Sequence, residues 1–188
     1  MNIILFSDTF EPELNGVSTS VTTLFKVLKN NGHNVYVVTT NPFGKQVTFK
    51  NNILRIPGLR LKALYDYILA PIYNRKAMKI LKNINADIIH VHTDFSIAQL
   101  AYIYKAYSNA ALVYTYHTMY EDYTHYVNIF NLKSVDRVAK RAVYSLSKLY
   151  GEKCTALICP SPKTKERLEA YGIKKKIHVI PTGLDLER

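Results

Sequence analysis

Residues 110–117 read Ala-Ala-Leu-Val-Tyr-Thr-Tyr-His, an apolar and β-prone run that ends in a histidine. The run predicts a strand buried on both faces, as strands of parallel sheets are. Its carboxyl end places His117 at the sheet edge where open α/β folds bind ligands. Glu121 and Asp122 follow closely, and a histidine with two nearby acids at a strand end favours a functional site over a buried structural histidine. The alternative role of the two acids is helix capping.

Similar runs alternate with helical patterns along the whole chain. Strands are predicted at residues 2–7, 34–40, 87–92, 111–116, 156–160 and 178–181. Helices are predicted at residues 18–31, 71–84, 96–107, 135–152 and 162–171, with Gly32 and Gly172 as C-terminal caps. The alternation indicates an α/β fold with a doubly wound parallel sheet and helices on both faces. Segment 41–52 is expected to be a hairpin or a mobile loop.

Each predicted strand finishes in polar residues. They are Ser7-Asp8, Thr39-Thr40, His92-Thr93, His117-Thr118, Ser161 and Thr182. In a doubly wound sheet these strand ends share one edge, which is the binding crevice. A strand that leaves the core must end in something polar, and this explains much of the pattern but not its histidines.

Composition limits the functional classes. With 188 residues, 48% of them hydrophobic, the chain can form one large domain. The 25 Lys and Arg against 14 Asp and Glu give a formal net charge of +11, which favours anionic partners such as phosphates, nucleic acid or acidic lipid. The N-terminus predicts a first strand and not a signal peptide, and no apolar run is long enough to span a membrane. Cys154 and Cys159 lack zinc-site spacing and indicate reduced core residues of a cytosolic protein.

The loop after the first strand carries a candidate phosphate site. Gly16 lies just ahead of a helix, and Ser18 is the expected cap. Backbone N–H groups at a helix start can bind a diphosphate, and glycine allows a close approach. The loop lacks both G-x-G-x-x-G and G-x-x-x-x-G-K-[ST], so NAD chemistry and phosphate-loop chemistry are disfavoured. Taken alone, Gly16 is equally compatible with a turn before a capped helix.

Five segments together carry a resemblance that covers the chain. They are residues 6–18 (FSDTFEPELNGVS), 87–96 (DIIHVHTDFS), 116–123 (YHTMYEDY), 158–161 (ICPS) and 179–185 (VIPTGLD). In this order they resemble the N-terminal domain of family 4 retaining glycosyltransferases. Within that family the chain is most similar to the bacterial diacylglycerol glucosyltransferases.

The resemblance implies one half of a GT-B fold, in which two Rossmann-like domains face each other across a cleft. Residues 1–180 are then the acceptor-side domain, and residues 181–188 begin the interdomain linker. The C-terminal domain, which carries the E-x7-E motif and most donor contacts in the family, would be absent. We therefore expect the isolated chain to transfer little or no sugar.

The resemblance also implies roles for particular residues. The intact enzyme would move glucose from UDP-glucose to diacylglycerol with retention, with His117 beside the transferred sugar and the acceptor hydroxyl. The donor diphosphate would meet the backbone at Gly16, Val17 and Ser18. The acceptor side would comprise Thr118, Tyr120, Glu121 and Asp122. No metal and no cofactor are expected, and UDP-glucose would bind mainly to the missing domain.

A basic segment points to a membrane surface. The helix at residues 71–84 is expected to bury the stripe Tyr73, Ala77, Ile80, Leu81 and Ile84 in the core. The cations expected to meet anionic lipid, each worth about 1 kcal/mol near the surface, are Arg60, Lys62, Arg75, Lys76, Lys79 and Lys82. Apolar residues before the helix would dip into the interface. With a diacylglycerol acceptor, the enzyme would be cytoplasmic and peripheral on the inner face of the plasma membrane. A solvated basic face is the alternative.

Two other functions stay open. A family 4 enzyme with another lipid or a soluble acceptor would share most of these motifs. A non-enzymatic module that binds nucleic acid would explain the charge and the 15 tyrosines. The sequence contains no recognised nucleic-acid motif, so no nucleic-acid partner is expected.

Overall fold

The computed structural model describes residues 1–61, 67–117 and 133–183, with the backbone alone for residues 133–140, 142 and 143. The strands are β1 (Asn2–Phe6), β2 (Asn34–Thr40), β3 (Thr48–Lys50), β4 (Ile53–Ile56), β5 (Leu59–Leu61), β6 (Tyr67–Leu69), β7 (Ile88–Val91), β8 (Ala111–Thr115), β9 (Ala156–Cys159) and β10 (Ile177–Val179). The helices are α1 (Gly16–Asn30), α2 (Arg75–Lys82), α3 (Ser96–Lys105), α4 (Lys133–Lys153) and α5 (Pro162–Ala170).

Eight of the described strands form one sheet in the order β10-β9-β8-β7-β1-β2-β4-β3. Every pair in it is parallel except β3 with β4. The strand order reverses at β1, whose neighbours are β2 on one side and β7 on the other. The crevice of a doubly wound sheet lies at such a switch point. The predicted α/β fold class is confirmed.

The sheet separates two hydrophobic cores. On β1, Ile4 and Phe6 belong to the larger core, whereas Ile3 and Leu5 belong to the smaller one. Alternate residues of a strand point to opposite faces, so a run that is apolar throughout supports helices on both sides. Helix α1 covers the smaller core, to which it contributes Val21.

Segment 41–52 contributes a hairpin strand. Strand β3 pairs antiparallel with β4 across Asn51 and Asn52, whose φ angles are 51° and 64°. Two consecutive residues with positive φ are characteristic of the tight turn that suits a two-residue hairpin. Strand β4, which no pattern indicated, also pairs in parallel with β2. Together β4 and β3 extend the sheet by two strands.

The two predicted C-terminal glycine caps are confirmed. Gly32 and Gly172 follow α1 and α5 with φ of +80° and +75°. The predicted cap at Ser18 is wrong. Asn15 caps α1, because its Oδ1 accepts from the Ser18 N–H at 2.8 Å, while the Ser18 hydroxyl donates to the Glu13 carbonyl at 2.7 Å. A cap must lie in extended backbone before the first turn, and Ser18 is already inside that turn.

Helix α2 begins at Arg75, four residues later than predicted, because Asn74 caps it and a short strand precedes it. Ala77, Leu81 and Ile84 are buried as expected. Tyr73 lies before the helix and is 53% exposed, so its assignment to the core stripe is wrong.

Strands β5 and β6 form a separate antiparallel pair whose base is tied to the start of α3. Gly58 lies directly against the backbone of Leu69 and Ala70, where any Cβ would overlap it. The Ala70 N–H donates to Ser96 Oγ at 3.1 Å, which joins the hairpin base to the start of α3. None of the helices in the described ranges has the length and apolar character needed to cross a bilayer.

Candidate functional site

The strand ends at the switch point converge on the buried carboxyl group of Asp8. Its Oδ2 accepts from Thr93 Oγ1 at 2.5 Å. Its Oδ1 accepts from Ser96 Oγ at 2.7 Å and from the Ile97 N–H at 3.0 Å. These donors lie in the loop after β7 and in the first turn of α3, so Asp8 fixes the start of that helix against β1. The role of Asp8 is to position this loop.

Three histidines lie beside this centre. His90 and His92 are two residues apart at the end of β7 and therefore share one sheet face, and His117 follows the neighbouring strand β8. His92 Nδ1 lies 3.0 Å from His117 Nε2, and His90 Nε2 lies 2.7 Å from Thr115 Oγ1. The ring centroids are 4.0 Å apart for His90 and His92 and 5.3 Å apart for His92 and His117.

This histidine cluster is uncharged at neutral pH. Burial lowers the pKa of His90 to about 3, with a further contribution from His117. Burial lowers the pKa of His117 to about 4. Burial, followed by the proximity of His90 and His117, holds the pKa of His92 well below 6.5. His117 is therefore a neutral imidazole that can accept or donate hydrogen bonds.

Asp94 is a second buried acid at this edge. Burial raises its pKa to about 7, and the hydrogen bond donated by the Tyr114 hydroxyl opposes part of that rise. The charge of Asp8 raises it further. Asp94 thus titrates in the physiological range. Its neighbour Asp8 has both carboxylate oxygens occupied by hydrogen-bond donors.

The start of α1 leaves room for a ligand. Gly16 is exposed, and a Cβ at this position would meet no atom within 4 Å. Its φ lies outside the left-handed region, so neither packing nor backbone conformation requires glycine here. The Ser18 N–H is engaged by Asn15, whereas the N–H groups of Gly16 and Val17 have no acceptor in the described chain. Two of the three predicted phosphate donors are available.

The model of glycosyltransferase family 4 matches residues 14–188 of this sequence. The chain belongs to this family. The N-terminal residues 1–13, which include Asp8, precede the matched range.

Two curated relatives align with the whole of this family 4 chain. They are alpha-monoglucosyldiacylglycerol synthases from Acholeplasma laidlawii, at 30% identity, and Streptococcus pneumoniae, at 34% identity. The chain spans 47% and 42% of their lengths. The solved sucrose-phosphate synthase from Thermosynechococcus elongatus matches 99% of this chain and 49% of its own, with a TM-score of 0.70 at 18% identity. The last comparison supports the Rossmann-like architecture and a fold shared with GT-B glycosyltransferases.

Several predicted site residues of this family 4 chain lie outside the described residues. They are Lys62, Thr118, Tyr120, Glu121 and Asp122. Among the residues that the structure does describe, no group of three or more His, Cys, Asp and Glu is arranged to hold a metal ion. The absence of a metal stays a prediction. Cys154 and Cys159 are both buried and free, as the composition indicated.

Sequence reasoning placed His92 at the crevice edge without assigning it a role, and it did not single out His90 or Asp94. One signal was present: the H-x-H spacing in residues 87–96 places both histidines on one face of a strand. The partner of His92 is 25 residues away along the chain, and only the pairing of β7 with β8 brings the two rings together.

The histidine cluster predicts acid sensitivity of the fold. Unfolding restores the ordinary histidine pKa of 6.5, so the unfolded chain binds more protons than the folded chain as the pH falls from 6.5 to about 4. Each buried histidine then lowers the free energy of unfolding by up to about 1.4 kcal/mol per pH unit. Asp94 and Glu13 act in the opposite direction, because burial raises the pKa of each carboxyl group and lets the folded chain take up protons as the pH falls. Three histidines outweigh these two acids, and denaturant unfolding between pH 7 and pH 4 measures the slope.

His90→Phe is the test variant, because it removes one titrating ring and keeps an aromatic ring in its place. The pH slope should become shallower by up to about 1.4 kcal/mol per unit, even if the variant is less stable at every pH. His178→Phe, at an exposed position on β10, is the matched control and should keep the wild-type slope. Equal slopes in the wild type and both variants would contradict the view that the buried histidines cause the acid sensitivity.

Proposed function

We propose that this chain is the acceptor-side half of a retaining glucosyltransferase that moves glucose from UDP-glucose to diacylglycerol at a membrane surface. The main support is its full-length alignment with two synthases named for monoglucosyldiacylglycerol. Residues 1–180 form this half, and residues 181–188 begin a linker to a donor-binding domain. Residues 1–188 by themselves would transfer little or no sugar, because most donor contacts would lie in that domain.

The donor diphosphate lies against the start of α1. As the glycosidic bond breaks, negative charge grows on the departing phosphate, and hydrogen-bond donors aimed at it lower the barrier. The free N–H groups of Gly16 and Val17 supply such donors, and the open space beside Gly16 fits a phosphate. Ser18 contributes by fixing the loop through its bond to Glu13.

His117 binds the transferred glucose as a neutral hydrogen-bonding group. Its low pKa makes a charged role unfavourable, and a position at the end of β8 brings it to the crevice. The acceptor hydroxyl attacks from the face that the phosphate leaves, and the departing phosphate takes the hydroxyl proton. Thr118, Tyr120, Glu121 and Asp122 follow His117 directly and line the acceptor side. The reaction needs no cofactor and no metal.

A membrane-facing surface supports the lipid acceptor. Among the described residues of the β5–β6 hairpin and the segment before α2, the exposed apolar ones are Leu59 (66%), Leu69 (44%), Ile72 (52%) and Tyr73 (53%). Ile72 and Tyr73 directly precede α2 and its exposed cations. Apolar side chains that enter the interface beside cations that attract anionic lipid are a common mode of peripheral binding. The enzyme would act on the cytoplasmic face of the membrane.

The four cations of α2 are not equivalent. Lys76 Nζ donates to the Val47 carbonyl at 3.1 Å, and Lys82 Nζ lies 3.8 Å from the centroid of the Tyr107 ring. Arg75 and Lys79 are exposed and make no hydrogen bond or ion pair with any part of the described chain. Arg75 and Lys79 are therefore the cations most available to lipid. Arg60 is partly engaged, because it donates to the Pro42 carbonyl at 3.2 Å.

The first test concerns transfer itself. In the protein that contains both domains, His117→Ala should lower the turnover of UDP-glucose with diacylglycerol by about 100-fold, the scale for losing one preorganised polar contact. The melting temperature should change little in comparison. His178→Ala, at an exposed histidine, is the control and should retain full turnover. A large loss of melting temperature with normal activity per folded molecule would refute the role of His117, and transfer only to soluble acceptors would refute the lipid substrate.

The donor site predicts a steric effect. Gly16→Val should leave the melting temperature unchanged, because the side chain enters open space in the ligand-free chain. It should lower kcat/KM for UDP-glucose by at least about tenfold, which corresponds to about 1.4 kcal/mol, because the side chain occupies the phosphate position. Gly44→Val makes the same change at another exposed glycine with open space around it, and it should change neither the melting temperature nor kcat/KM. Wild-type kinetics for Gly16→Val would show that Gly16 does not lie against the donor diphosphate.

The membrane surface predicts charge-dependent binding. The double variant Arg75→Glu and Lys79→Glu should lose most binding to anionic vesicles, and wild-type binding should weaken with salt because charges are screened within about 8 Å at physiological ionic strength. Lys174→Glu with Lys176→Glu changes the net charge equally at exposed positions beside β10, the other edge of the sheet. Co-sedimentation with vesicles measures both. If the two double variants lose vesicle binding equally, binding depends only on net charge, and the proposed membrane-binding surface is refuted.

A further inference from the structure

One ring nitrogen in the histidine cluster has no partner. His92 is 2% exposed, and its Nε2 is buried without a hydrogen bond in the part of the chain that the structure describes. His90, the nearest ring, makes no hydrogen bond with it, and His90 Nε2 lies 2.7 Å from Thr115 Oγ1 instead. The contact of His92 with His117 is made through the other ring nitrogen, Nδ1.

This asymmetry decides where the proton of His92 lies. A neutral imidazole carries one N–H and one bare nitrogen. If the proton were on Nε2, a buried N–H would have no acceptor, and such orphaned donors are rarer in folded proteins than unpaired acceptors. If the proton is on Nδ1, it is donated to His117 over 3.0 Å and only a bare nitrogen stays unpaired.

The tautomer of His92 then sets the tautomer of His117. Because His117 Nε2 accepts this hydrogen bond, it must be the bare nitrogen of a neutral ring, and the proton of His117 must be on Nδ1. His117 Nδ1 has no partner in the described chain, so it is available as a donor. The planes of the His92 and His117 rings differ by 29°, so the lone pair and the N–H, which lie in the ring planes, can face each other.

We propose that His92 is a positioning residue, which holds His117 as the Nδ1–H tautomer and so presents an N–H donor to a hydroxyl group of the transferred sugar. The hydrogen bond between the two rings is a property of this chain alone. Its consequence for sugar transfer rests on the proposed function of His117, and the two are tested separately.

The structural arm uses nuclear magnetic resonance on the chain labelled with ¹⁵N at its histidines, at neutral pH. Long-range ¹H–¹⁵N correlations distinguish a protonated ring nitrogen from a bare one. We expect the Nδ1–H form for both His92 and His117. Exposed His178 provides an internal reference for the free tautomer equilibrium. An Nε2–H form of His117 in the wild-type chain would overturn the proposal whatever the enzyme does.

Two substitutions at His92 separate hydrogen bonding from packing. His92→Phe keeps a flat ring and removes the donor, so His117 should lose its preference for the Nδ1–H form. His92→Asn places an amide N–H close to the position of Nδ1, so it should keep that preference. If both variants are folded and His117 keeps the same tautomer in His92→Phe, the positioning role is refuted. If His92→Phe does not fold, the wild-type spectrum and His92→Asn still decide the outcome.

The functional arm uses the protein that contains both domains. His92→Phe should lower kcat by about tenfold with little change in KM for UDP-glucose, and His92→Asn should recover most of that loss. His90→Phe removes the neighbouring ring but not the hydrogen bond, and it should keep the tautomer of His117. A wild-type kcat for His92→Phe, in a protein whose His117 tautomer has changed, would show that the tautomer does not matter for transfer and would refute the proposed role of the N–H donor.

Discussion

The hydrogen bonds to the carboxylate of Asp8 hold the functional edge of the sheet together. A buried carboxylate is costly unless its oxygens are bonded, and three donors from residues 93–97 satisfy this one. Its backbone is equally engaged, because the Asp8 N–H donates to Thr93 Oγ1 at 2.9 Å and the Asp8 carbonyl accepts from Thr40 Oγ1 at 2.9 Å. One residue thereby links the ends of β1, β2 and β7. The links extend through Ser96 to Ala70 and so to the base of the β5–β6 hairpin.

The histidine cluster depends on this arrangement. β7 is fixed between β1 and β8, and its end carries His90 and His92 next to His117, with His92 buried and the other two rings half-buried. Burial keeps the rings neutral and strengthens the hydrogen bond between His92 and His117, since both effects follow from a low local dielectric. A group in such a setting is suited to precise hydrogen bonding and not to carrying a charge. This agrees with a role for His117 in orienting a sugar while the phosphate leaving group handles the proton.

The same framework connects the site to the proposed lipid surface. The free cations Arg75 and Lys79 lie on α2, which packs against the larger core through Ala77 and Leu81, and the base of the hairpin packs against the same core through Ala70. The hairpin base reaches Asp8 within two hydrogen bonds. Under the proposed membrane-bound function, these links would hold the crevice at a fixed distance from the lipid surface.

The sequence by itself determined the alternation of strands and helices, the glycine ends of α1 and α5, and the delivery of His117 to a strand end. These follow from local rules, because burial on two faces, positive φ and strand direction act over a few residues. The tertiary structure decided the cap at Asn15, the extra strand β4, the exposure of Tyr73, the hydrogen bonds of Asp8 and the pairing of His92 with His117. Each of these depends on a partner or a competing environment outside the local pattern, and the partners of Asp8 and His92 lie 85 and 25 residues away. Only the parallel pairing of distant strands places such groups within hydrogen-bonding distance.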